Sequence, residues 1–241
     1  MTTTNGNTET GTDVDAARVL RALEDGRPSV RLRAALAAGT APGAGYVGPL
    51  VERCAVEPEF FVRDMLTWAL TRHPVSLTLP RLLGEVRSER PQARSQALHT
   101  LSKLGDRRAW PAIGEALLSD ADDEVARSAW RAAVVLVPEG GEAALAAVLA
   151  GQLGRGGRET RLSLSQALVA LGEVIVPVLR AVAEAEAEDP RRRVHALATE
   201  RLLRDPDSGF ASAVEEARRV VALTGAPHVG SSGTGASGTG R

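Results

Sequence analysis

Phe60-Phe61-Val62-Arg63-Asp64-Met65-Leu66-Thr67-Trp68-Ala69-Leu70 decides the fold, because altered copies of it recur along the chain. Val30-Arg31 with Ala34, Val62-Arg63 with Leu66 and Ala93-Arg94 with Ala97 come first. Val125-Ala126 with Ala129, Thr160-Arg161 with Leu164 and Val194-His195 with Ala198 follow. The second residues of these pairs stand at 31, 63, 94, 126, 161 and 195, so the steps are 32, 31, 32, 35 and 34. A near-constant period in this range marks a solenoid of stacked repeats. Val62, Leu66 and Leu70 fall at every fourth position, the spacing of one helix face. Burying a Leu or Val contributes about 1.5–3 kcal/mol only once a neighbour covers it. The small residues Ala34, Ala97, Ala129 and Ala198 let that neighbour approach closely.

A second marker runs in register with the first. Pro49, Pro80 and Pro111 are followed by Ala144 and Pro177 in equivalent places, at steps of 31, 31, 33 and 33. Each is expected near the start of the first helix of a pair, where a missing N–H is tolerated. Helical pairs are then expected over 12–25 with 28–38, 46–56 with 58–72, 75–88 with 91–104, 108–119 with 122–137, 141–153 with 158–171, and 174–188 with 190–204. A last helix over 207–223 has a charged outer face suited to capping the stack. Residues 1–11 and 224–241 are polar or Gly/Ser-rich and are expected to be disordered tails flanking one repeat body over 12–223.

Composition limits the chemistry. Aromatics make up 3% of the 241 residues, so the core must be Ala, Leu and Val. A formal charge of −1 gives no general pull towards nucleic acid or an anionic membrane. Cys54 is the single cysteine, inside an apolar helical pattern, which points to packing rather than reactivity. No basic and apolar leader opens the chain, and no apolar run reaches the ~20 residues of a membrane span. A cytoplasmic protein is expected.

The two markers together resemble HEAT repeats, in particular the short bacterial kind found in phycobilisome lyases. The match is carried by Pro80-Arg81-Leu82-Leu83 through Ala93-Arg94 and Ala97-Leu98. It is carried again by Pro111-Ala112-Ile113 through Asp122-Asp123-Glu124-Val125 and Ala129, and it extends over about residues 13–204. Ala126 and His195 depart from the arginine of that pattern, and the segment 151–157 is longer than its equivalents. The resemblance implies an all-α, right-handed α-solenoid of about six HEAT-like helix pairs with second helices on the concave face. It does not imply one activity, since such proteins include binding scaffolds, chromophore lyase subunits and, in a related branch, alkylpurine DNA glycosylases.

Catalytic and metal-ligand motifs are missing, so no enzyme activity, cofactor or metal is expected. The glycine-rich run 151–157 follows no strand and reads as a flexible turn rather than a phosphate loop. The recurrent arginine is expected to serve structure, bonded to inter-helix turns. Off the apolar seam, the second helices carry Arg33, Asp64, Trp68, Gln96, His99, Arg127, Arg131 and Gln166, with Leu36, Ser163 and Glu200 at equivalent positions. Trp and Arg commonly anchor interfaces, so this ridge is the candidate face for a protein or peptide partner. Trp68 is open to two placements, exposed anchor or packed ring, whereas Trp130 is expected to be packed. Asp64 and Trp68 share a helix face, which raises the glycosylase alternative, with Asp64 stabilising a cationic sugar. The near-neutral charge opposes duplex binding. A lyase-like chaperone for a chromophore is a further alternative.

Overall fold

A computed structural model describes residues 6–185 and 189–224. Of the expected tails over 1–11 and 224–241, residues 1–5 and 225–241 lie outside the described residues, whereas 6–11 and Thr224 are helical rather than disordered. The described residues are all-α, with no strand. The helices are α1 Gly6–Leu23, α2 Pro28–Thr40, α3 Val47–Cys54, α4 Phe60–Arg72, α5 Val75–Glu85 and α6 Pro91–Leu104. They continue with α7 Glu115–Leu118, α8 Asp123–Leu136, α9 Glu142–Ala150, α10 Arg158–Ala170, α11 Val176–Glu184, α12 Pro190–Arg204 and α13 Phe210–Thr224.

Contacts follow chain order. Each odd-numbered helix up to α11 packs on the even-numbered one after it, and α13 packs on α12. The even-numbered helices also touch one another in series, α2 on α4 and so on through α6, α8, α10 and α12. The expected seam lies between them: Val62, Leu66 and Leu70 are buried, as are Ala34, Ala97, Ala129 and Ala198. Trp130 is fully buried and donates its indole N–H to the Leu118 carbonyl at 2.8 Å. Burial pushes the Cys54 thiol up to about 12, with the nearby Glu57 charge adding to it, so the group is inert as a nucleophile.

The recurrent arginine ties pairs together. Arg31 donates Nη1 to the Asp25 and Gly26 carbonyls, at 2.8 and 3.1 Å. Arg63 reaches the Glu57 and Pro58 carbonyls, and Arg94 those of Ser88 and Glu89, so each arginine closes the turn six and five residues before it. Arg31 also grips the buried Glu57 carboxylate through two bonds of 2.7 Å, and Arg94 grips Asp120 in the same fashion. Burial alone would raise the Glu57 carboxyl, but bonds from Arg31, the Glu59 N–H and Arg53 outweigh it and hold the group at about 2. Where Ala126 replaces arginine, the next turn supplies one. Arg155 donates to Asp123 Oδ1 at 3.0 Å and to the Asp120 carbonyl.

Four expectations need correction. Helix α1 begins at Gly6, so Thr12 lies inside it and does not have the extended backbone an N-cap needs. Pro80 sits in the middle of α5, not its first turn. Both Pro80 and Ser76 are exposed, so the carbonyl deprived of its partner can be hydrated. The helix expected over 108–119 breaks into a 3-10 segment Arg107–Ala112 and the short α7, with Pro111 inside the first and extended Gly114 starting the second. The run 151–157 is a bonded turn rather than a loose one: besides Arg155, Gly154 (φ +85°) donates its N–H to His195 Nδ1 at 3.0 Å.

Candidate functional site

A cleft of ≈ 310 Å³ opens across the second helices α4, α6 and α8. Its floor and walls follow from the seam. Once Val62, Ala93 and Val125 turn inward, the residues about a half-turn on must turn outward. Helix α4 contributes Phe60 and Asp64, α6 contributes Gln96 and His99, and α8 contributes Arg127 and Arg131. Asp122 starts α8 as expected, accepting from the Glu124 and Val125 N–H groups.

The structure thus brings together five of the eight residues singled out in the sequence: Asp64, Gln96, His99, Arg127 and Arg131. Arg33, Trp68 and Gln166 do not line the cleft, although all three are solvent-exposed on their helices. Trp68 combines both placements left open for it. It is 38% exposed, yet a Cβ on Gly39 would lie 2.3 Å from its ring, so the indole rests on that glycine. Asp64 and Trp68 therefore do not form one pocket. Two further ridge positions are buried. Ser163 packs inward, and Glu200 is held by Arg180 and Arg204.

The charges in the cleft are unequal in their ties. Arg127 Nη1 pairs with Glu124 at 2.6 Å, while its Nε is buried with no acceptor among the described residues. Arg131 donates to Ser128 Oγ at 3.0 Å and makes no ion pair among the described residues. Burial pulls its guanidinium below the ordinary value, and the Arg127 charge one turn away adds to that, with Glu124 acting the other way. Burial also lowers His99, followed by the charges of Arg131 and Lys103, against an opposing pull from Asp64. A neutral His99 between a cationic and an anionic wall can donate or accept a hydrogen bond. On the floor, Ser95 and Ser128 share a 3.0 Å hydrogen bond that joins α6 to α8.

Phe60, Arg63, Ser95, Glu124 and Ser128 line the cleft without having been singled out. Phe60 had a signal: it precedes Asp64 by four residues and so shares its helix face. Its ring is 64% exposed and meets the 74% exposed Phe61 edge to face, with centroids 5.5 Å apart.

No family model matches the chain, and no curated protein matches it. Among solved structures it is similar to the complex of CpcE and CpcF of phycocyanin lyase from Nostoc sp. PCC7120. The identity is 18%, the match covers 84% of this chain and 93% of that one, and the TM-score is 0.35. A likeness at that level fixes neither partner nor activity.

Proposed function

We propose that this chain is a non-enzymatic scaffold: a right-handed solenoid of HEAT-like helix pairs, capped by α13, that binds a protein or peptide on its second-helix face. One observation carries the reading. Exposed or half-buried polar side chains from three successive second helices converge on one cleft with an exposed aromatic pair at its edge. Interfaces of this kind are built from aromatic and arginine anchors inside a polar rim. The long even-numbered helices supply a rigid platform, since their opposite faces are locked in the seam.

The test is partner capture from the native cell extract with the full chain. Arg131→Glu combined with Gln96→Ala should cut recovery by about tenfold. Arg87→Glu, an exposed charge outside the cleft, should leave recovery unchanged. Equal recovery by all three proteins removes this face from consideration. A lyase-like chaperone is the second reading. It alone expects the chain to bind the phycocyanin chromophore, read as an absorbance shift on mixing. No single helix among the described residues is long and apolar enough to cross a membrane.

A further inference from the structure

We infer that the cleft takes an extended peptide segment bearing a carboxylate and an aromatic side chain, the carboxylate on Arg131 and Arg127 and the aromatic on Phe60–Phe61. The inference rests on the scaffold reading and adds the chemistry of the partner to it.

Helix α8 carries positive charge that the fold only partly compensates. Arg127 and Arg131 are four residues apart on α8, so two cations sit one turn apart on one face, an arrangement that costs a helix stability when no anion intervenes. Glu124 neutralises only the first, through Nη1. Among the described residues, Arg131 donates only Nη2, to Ser128 Oγ, and presents the rest of its fork to the cleft. A guanidinium fork is matched in shape by a carboxylate, which accepts two parallel bonds.

The carboxylates of the cleft limit how much negative charge the site accepts. Asp64 and Glu124 line the same cleft. Against Arg63, Arg127 and Arg131 they leave the lining with a formal charge of +1, which a single carboxylate neutralises and a phosphate dianion or a polyphosphate backbone exceeds. A monoanion is the better complement.

The spacing of the helices sets the length of the segment. Neighbouring packed helices lie ~8–10 Å apart, so the path from α4 to α8 is roughly 16–20 Å. An extended chain rises ~3.3 Å per residue, so about five or six residues cross it. Phe and Glu four residues apart then project from the same side of the strand, about 13 Å apart. Phe60 and Phe61 provide the apolar end: two adjacent rings, mostly in solvent, whose edge-to-face packing leaves their outer surfaces uncovered.

The probe is a fluorescein-labelled, end-capped peptide, Ser-Phe-Ser-Ser-Ser-Glu-Ser, titrated against the full chain by anisotropy at low salt. Its counterparts carry Gln, Lys or phosphoserine for Glu, or Ser for Phe. The Glu peptide should bind about tenfold tighter than the Gln peptide. Arg131→Gln should erase that preference, and Arg131→Glu should reverse it in favour of the Lys peptide. Phe60→Ser should weaken the Glu and Gln peptides alike. Arg131 and Phe60 are exposed, and a circular dichroism melt checks that each variant stays folded.

Equal affinity for the Glu and Gln peptides overturns the inference. So does tighter binding of the phosphoserine peptide or of a duplex DNA oligomer, or no binding of the Glu peptide up to about 1 mM. The two readings fail separately. Partner capture that depends on Arg131 while Glu and Gln peptides bind alike keeps the face and removes the carboxylate. Capture indifferent to Arg131 removes the face itself.

Discussion

His195 stands where other repeats carry arginine, and it performs a related task with a neutral ring. Nδ1 accepts from the Gly154 N–H, and Nε2, lying 3.0 Å from the Arg161 carbonyl and from Ser165 Oγ, carries the proton. Burial pushes the imidazole down to about 4; the bond to the Arg161 carbonyl opposes the shift, whereas the Arg161 charge adds to it. The unfolded chain, with an ordinary value of 6.5, therefore binds the proton first. The stability carried by this site is whole above pH 6.5 and drains as pH falls towards 4. A His195→Gln chain should start less stable but lose less between those limits, as read from thermal midpoints along a pH series. Parallel curves for the two proteins would show that His195 does not titrate on unfolding. Glu57 works over a lower window. Its folded value of about 2 lies below the ordinary 4.5, so its contribution is present above pH 4.5 and fades as pH drops to 2. Glu57→Gln leaves Arg31 buried without its countercharge, which should cost about 3–5 kcal/mol in urea unfolding at neutral pH. A change below about 0.5 kcal/mol would mean that the Asp25 and Gly26 carbonyls alone suffice for Arg31.

At the scale of elements, the approach of α2 to α4 depends on one missing side chain. A Cβ at Gly39 would lie 2.3 Å from Trp68 Cζ3 and 2.9 Å from the Ala69 Cα. The indole could swing away, but the Ala69 backbone could not without separating the helices. Gly39→Ala should therefore cost about 1–3 kcal/mol through overpacking, despite the better helix propensity of alanine. Chemical denaturation measures that loss, and a shift in tryptophan emission would report the displaced ring; a more stable variant would refute the close packing. Such pairwise fits are hard to read from a sequence, whereas the seam was legible because Val62, Leu66 and Leu70 repeat at the helical period. The tethering arginines were legible for the same reason. Legibility failed where tertiary partners decide. Glu200 looks like a surface residue until Arg180 and Arg204 close over it. Pro111 looked like its counterparts in other repeats, yet here it sits within a 3-10 segment. In the cleft, the polar residues could be found by counting from the seam, but the Ser95–Ser128 bond could not, because it depends on how α6 sits against α8.

Across the whole molecule, contacts join neighbours in the chain and rarely skip, so stability should be close to a sum of local and nearest-neighbour contributions. The buried apolar side chains are not one body, however. A main cluster extends from Leu23 to Ala196, and a separate small one gathers Ala198, Leu202, Phe210, Ala213 and Ala217 at the α12–α13 junction. Helix α13 packs chiefly on α12, and Phe210 is the largest residue in its cluster, its ring edge-on to His195 at 6.0 Å. Truncating a buried phenylalanine costs about 3–5 kcal/mol, which is comparable to what so small a cluster can supply. Phe210→Ala should therefore release α13 while the seam from α2 to α8 holds. Native-state hydrogen exchange with peptide resolution would show it: amides in 210–224 and the outer turn of α12 should lose protection, and those in 28–136 should keep theirs. Uniform loss of protection from α2 to α13 would instead make the array a single cooperative unit. In that case an event at α13 would reach the cleft energetically, and the capping helix would regulate binding rather than only close the stack.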